Sequence, residues 1–375
     1  MPRLHDRHSA IAAFLAGAPL EWPDLKISAD DCVELCDSQD LAPLLFYRLS
    51  CSAAKEGWPA DLALRLAGTA RAAAAHELLR GHEIRAIVQA LADGGLTPIL
   101  VKGTPLAYAV YDAPSLRPRE DTDLLIAPTE VEAARRVFSA HGYAPAVHCH
   151  DLFSQIEMQK TDSFGVCHVF DVHWKISTQP VFESVLTHAE MLSRAVAVPA
   201  LGLGARAAGR VDALMLACIH SVMHHRNDAR LLWAYDAHLL ACEMSAADFS
   251  SFATLAIRKG VAAICAYQLQ AVRALFGTEL PARLLATLVD DGRDEPSAEY
   301  LASDRAWRHE LAASMRATPS WSRRTRMLRD VLLPPPDYML GAYGLRGKPL
   351  GRWLLPALYV HRNVRGAVRV LTGKK

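Results

Sequence analysis

Asp121 and Asp123 stand two residues apart in Asp121-Thr122-Asp123-Leu124-Leu125-Ile126. On a strand that spacing sends both carboxylates out of one face, while Thr122, Leu124 and Ile126 turn into the core. Two like charges held side by side are unfavourable unless a cation lies between them, and Mg²⁺ (or Mn²⁺) takes a few carboxylates completed by substrate phosphates. A divalent ion carrying a nucleoside triphosphate (NTP) meets that demand. Phe170-Asp171-Val172-His173 repeats the arrangement, with a lone acid between residues suited to a buried face and His173 on the side of Asp171. Asp171 is therefore the candidate third carboxylate. In a two-metal displacement such an acid serves the second ion and favours deprotonation of the attacking hydroxyl.

Upstream, Lys102-Gly103-Thr104 falls where an apolar run, Pro98 to Val101, gives way to helical spacing. A strand-to-helix turn of this kind presents backbone N–H groups to an anion. Gly103 permits close approach, Thr104 can cap the helix or touch phosphate, and Lys102 adds a mobile positive charge. Arg117 and Arg119, just before the aspartates, are candidates to clamp phosphate oxygens. Their alternative is pairing with nearby acids.

The elements that must position these groups can be read from periodicity. Ala75 to Leu91 carries an apolar helical stripe ended by Asp93-Gly94-Gly95. Strand Pro98–Val101, helix Thr104–Tyr111, strand Asp121–Ile126, helix Val131–Ala140 and strands Phe153–Gln159 and Val166–Trp174 then follow. That order predicts an α+β (α/β) fold, a small mixed sheet flanked by helical regions. The expected division is 1–95 helical, 96–205 the α/β core, and 206–375 a helical C-terminal domain with a basic tail.

Lys102-Gly103, Leu106, Tyr111, Arg117-Pro118, Asp121-Thr122-Asp123-Leu124-Leu125-Ile126 and Asp171-Val172-His173-Trp174 closely resemble the uncharacterised nucleotidyltransferase family of the DNA polymerase β superfamily. The resemblance runs from about Leu78 to Leu240. It implies Asp121 and Asp123 as metal ligands, Asp171 as the third carboxylate and Gly103-Thr104 in the superfamily's Gly-Ser position. Thr replaces the usual Ser, and the spacer to Asp121 is longer than in the better-known members. The expected activity is Mg²⁺- or Mn²⁺-dependent transfer of a nucleoside monophosphate from an NTP to an unidentified acceptor, a small molecule, peptide or protein. The alternatives are a nucleotide- or partner-binding module without turnover, and a toxin-like enzyme acting on a host macromolecule.

Other features have bland readings beside sharp ones. His220 and His224 fall four apart on a helix, with His225 next, but no HExxH glutamate lies between them, so a structural or cleft-lining role is expected. His148-Cys149-His150 with Cys167-His168 has irregular spacing and reads as loop. Asp236, after Trp233, either faces the cleft or pairs within its helix. Eight cysteines without CxxC spacing read as reduced thiols, and no run is long enough to span a bilayer, so a cytoplasmic location is expected. Formal net charge is +1, which argues against stable DNA binding. The tail from Tyr338 is rich in Arg and Lys, alongside Trp353, Leu354, Leu358 and Tyr359. It reads as a helix packed on the body with a solvated basic face, or as a basic amphipathic surface for anionic lipid, RNA or a peptide.

Overall fold

The computed structural model describes residues 6–146, 154–228, 230–302, 307–318, 320–345, 347–348 and 350–372. His148, Cys149 and His150, and Phe153 at the start of an expected strand, lie outside them. The chain forms two compact units, Met1–Ser303 and Asp304–Lys375.

The first unit begins with helices α1 (Asp6–Leu15), α2 (Ala29–Ser38) and α3 (Ala42–Ser50), then the 34-residue α4 (Ala60–Asp93). At 1.5 Å per residue α4 is about 51 Å long, far more than the stripe from Ala75 to Leu91 predicts. Its first turns are rich in Ala and bury only Leu62, Leu66 and Ala67, so periodicity there is faint. A glycine pair stops it: Leu96 N–H returns to Leu91 O (3.0 Å), Gly95 N–H to Ala92 O (2.9 Å), and Gly95 takes φ +76°. This left-handed cap turns the chain into the sheet.

The core follows as β1 (Ile99–Val101), α5 (Gly103–Ala109), β2 (Asp121–Leu125), α6 (Val131–Ala140), β3 (Ala144–Pro145), β4 (Gln155–Thr161) and β5 (Cys167–His173). Then come α7 (His188–Ser193), β6 (Val196–Ala197) and β7 (Arg206–Ala207). The seven strands make one mixed sheet in the order β3-β4-β5-β2-β1-β7-β6. β2 lies at its centre, parallel to β5 and antiparallel to β1. The fold class is thus α+β, a mixed-sheet core flanked by N- and C-terminal helices. The two-residue strands β6 and β7, which extend the sheet beyond β1, are too short to leave a periodic signal.

Alternation splits the sheet into an apolar and a polar face. Leu100, Leu124, Ile156, Met158, Phe170 and Val172, each no more than 1% exposed, pack on Ile84, Ile87, Val88 and Leu91 of α4 and on Ala134 and Phe138 of α6. Phe138, Tyr143 and Phe170 meet edge to face with centroids 5.2–5.4 Å apart. The acids take the opposite face. Around this core lie α8 (Arg210–His224), α9 (Leu231–Cys242), α10 (Ala246–Arg258), α11 (Ala262–Phe276) and α12 (Leu284–Gly292).

The second unit contains α13 (Trp307–Ala317), α14 (Trp321–Leu332), α15 (Pro336–Ala342) and α16 (Gly351–Thr372). Among the described residues no helix is long and apolar enough to cross a membrane.

Candidate active site

The parallel register of β2 and β5 sets Asp123 directly beside Asp171, and the antiparallel register of β1 sets Val101 on the other side of Asp123. Asp121 and His173 share this face by strand alternation. Asp123, Asp171 and His173 each bring a donor atom within 4.8 Å of the others, and they are the one such His/Cys/Asp/Glu group among the described residues. His173 Nε2 lies 2.9 Å from Asp123 Oδ1 and 4.0 Å from Asp171 Oδ2. The other oxygen of Asp171, Oδ1, is buried without a hydrogen-bond partner. A buried carboxylate oxygen left unsatisfied is costly, and a cation, a water or a substrate group relieves it.

Lys102 lies in the turn between β1 and α5 and supplies a positive charge to the site. Its Nζ donates to Asp123 Oδ1 at 2.5 Å. Its backbone takes φ 56° and ψ −133°, a conformation that favours glycine. Burial works against charge on Asp123, but Lys102 and His173 outweigh it and hold its carboxyl well below the usual range. Asp121 lacks that company. Burial first, then repulsion from Asp123, pushes it up to about 6. Asp171 is raised by burial and by Asp123, against the pull of His173 and Lys102. Three carboxylates crowded on one buried face, with Asp121 and Asp171 raised, form an arrangement that a cation would relieve.

The structure gives both loop arginines protein partners. Arg117, 8% exposed, donates from Nε and Nη2 to Asp236 of α9 at 3.2 and 2.7 Å, and from Nη1 to Pro118 O at 3.1 Å. Tyr111 Oη donates to the same carboxylate at 2.7 Å. A Cβ at Gly103 would stand 2.3 Å from Arg117 Nη1. Gly103 is thus needed for the arginine that crosses it, in addition to any close approach by phosphate. Arg119 goes elsewhere: its Nη2 donates to Glu77 of α4 at 2.8 Å, and its guanidinium stands 5.8 Å from the centre of the Tyr108 ring. The sequence left both arginines open between phosphate and a nearby acid; they pair with acids, but with distant ones. Glu77 and Asp236 lie 42 and 119 positions from their arginines, beyond the reach of local spacing.

Thr104 is buried, makes no cap, and its Oγ1 has no partner. His220 is half-buried on α8, within 5.0 Å of the rings of His225 and Trp233, and its Nδ1 has no partner. Burial, then the charge of Lys102, holds it well below the usual histidine range. His224 is exposed, its ring 5.6 Å from that of His220, and the pair forms no three-donor cluster. Asp236 is a buried partner of Arg117, as described. His168 is tied to Asp162 at 2.9 Å and Cys167 is an exposed free thiol. A cavity of about 680 Å³ opens beside Lys102 and Gly103 and reaches His220, Trp233 and Asp236, large enough for a small molecule.

A family model described as an uncharacterised nucleotidyltransferase matches residues 26–277, about two thirds of the chain, from the approach to α2 to the end of α11. No curated protein matches the chain.

Proposed function

We propose that this chain, which belongs to the uncharacterised nucleotidyltransferase family, moves a nucleoside monophosphate from an NTP onto an unidentified acceptor and releases pyrophosphate. The carrying observation is the packing of Asp123, Asp171 and His173 donors within 4.8 Å, beside the Lys102 turn. The unpartnered Oδ1 of Asp171 and the crowded charge of Asp121 fit a divalent ion, Mg²⁺ or Mn²⁺, on these residues. When bound, such an ion neutralises charge on the transferring phosphoryl group.

The chain's own groups do the rest. Lys102 and Thr104 face the triphosphate from the turn after β1. Arg117, pinned by Asp236, holds that turn in place, and Arg119 fixes the loop leading into β2. Asp171, kept less acidic than an exposed aspartate, favours loss of the acceptor hydroxyl's proton. The cavity beside Gly103 offers room for the acceptor.

One observation favours a second reading, a nucleotide-binding module without turnover: Lys102 already occupies an Asp123 oxygen. Incubation with each α-labelled NTP, Mg²⁺ or Mn²⁺ and a cell extract separates the two. Transfer predicts label on a small molecule, peptide or protein that disappears in an Asp121→Asn/Asp123→Asn variant. Metal-dependent nucleotide binding with no label moved favours the module, and equal labelling by wild type and variant removes the metal-site assignment.

A further inference from the structure

The formal charge of +1 conceals a partition: residues 304–375 hold 15 Lys and Arg against 4 Asp and Glu, whereas the first 303 residues hold 26 against 36. The basic unit also leaves apolar side chains in water. On α14, Trp321, Leu328 and Leu332 recur at helical spacing and are 73%, 37% and 50% exposed. On α16, Trp353, Val360 and Val364 do the same at 85%, 64% and 58%. The inner side of α16 is taken: Arg362 and Asn363 donate to Val331 O and Leu332 O at 2.6 and 2.9 Å, and Tyr359 Oη to Pro334 O at 2.5 Å. Arg323, Arg326, Arg352 and Arg365 are exposed and have no carboxylate partner among the described residues.

We propose that this unit docks on an anionic membrane surface, its Trp and aliphatic stripes in the headgroup boundary and its arginines on lipid phosphates. The inference stands apart from the catalytic reading. Nucleic acid would satisfy the arginines but bury none of the valines and leucines. An acidic peptide helix would fill one groove, whereas the apolar residues here are spread over two helices. A bilayer surface takes both features at once, tryptophan favours that interface, and the helices would lie on it, since among the described residues none is long and apolar enough to cross.

The test is co-sedimentation of the full chain with phosphatidylcholine vesicles and with equimolar phosphatidylcholine and phosphatidylglycerol vesicles, with tryptophan emission as a second readout. Expected are binding to the anionic vesicles with a blue shift, release by salt, and at least roughly tenfold weaker binding by Trp353→Glu/Val360→Glu and by Arg352→Glu/Arg365→Glu. All four positions are exposed, so circular dichroism of the variants should match wild type. Absence of anionic-vesicle binding, equal binding to neutral vesicles, or insensitivity to both variants overturns the proposal. A wild-type dimer that the Trp353→Glu/Val360→Glu variant dissociates, without vesicle binding, assigns the face to a second copy. Binding to single-stranded RNA instead of vesicles assigns it to nucleic acid.

Discussion

His173 carries a distinct burden among the site residues, because one imidazole nitrogen is within reach of two carboxylates. Replacing it with alanine should weaken Mn²⁺ affinity about ten- to hundredfold, read by calorimetric titration, while leaving the sheet intact. Unchanged affinity would remove it from the ligand set. Gly103→Ala tests a different point. The added methyl meets a guanidinium that Asp236 prevents from swinging away, so we expect about 1–3 kcal/mol of destabilisation by urea unfolding, together with weaker nucleotide binding. Strand alternation made the placing of Asp121, Asp123, Asp171 and His173 on one face legible in advance, because period two fixes a face once the strand is recognised. The commitments of Arg117 and Arg119 were not legible, since a guanidinium reaches whichever acid the fold delivers. Asp236 was weighed as a cleft acid or a helix-pairing one, and its role as a buried anchor needed the docking of α9.

Between elements, one buried ion pair and one partly buried pair hold the parts around the site. Asp236 links α9 to the loop before β2, and its replacement by alanine strands a buried guanidinium, at a cost of about 3–5 kcal/mol in urea unfolding. The paired change Arg117→Met/Asp236→Leu should recover much of that stability without recovering nucleotide binding, which separates scaffold from function. Glu83 links α4 to β4 by pairing with Lys160 at 2.8 Å and accepting from Tyr143 at 2.8 Å. Burial raises its pKa, but Lys160 and Tyr143 outweigh that and leave it below the usual range. A depressed folded-state pKa contributes stability that is present above the unfolded value, about 4.3, and is lost as pH falls through the folded one. Thermal melts should therefore show Glu83→Gln less stable than wild type by about 1–2 kcal/mol at neutral pH, the gap closing below about pH 4. A constant gap would mean that charge is not the cause. Helix α6 matches its expected bounds, Val131–Ala140, because its ends carry clear signals. The first half of α4 lies in the region expected to be helical, but its start was not delimited for lack of a stripe, and the strands β6 and β7 escaped for lack of length.

Over the whole molecule, a summed charge near zero was the least informative number in the sequence, because it averages an acidic unit with a basic one. The basic tail was visible as composition. That its apolar residues face water was not, since only the packed inner side of α16 shows which stripe is left over. The central pairing of β2 with β5 has a further consequence, for the order of events in folding. Asp123 and His173 lie 50 positions apart and meet only when two distant strands close in parallel, a pairing that chain entropy makes slow. Helical signal in refolding should therefore return before the pairing that the proposed Mn²⁺ site needs, with quenching of Trp174, next to His173, by added Mn²⁺ as the clock. Simultaneous recovery of both would mean that the sheet centre forms as early as the helices around it.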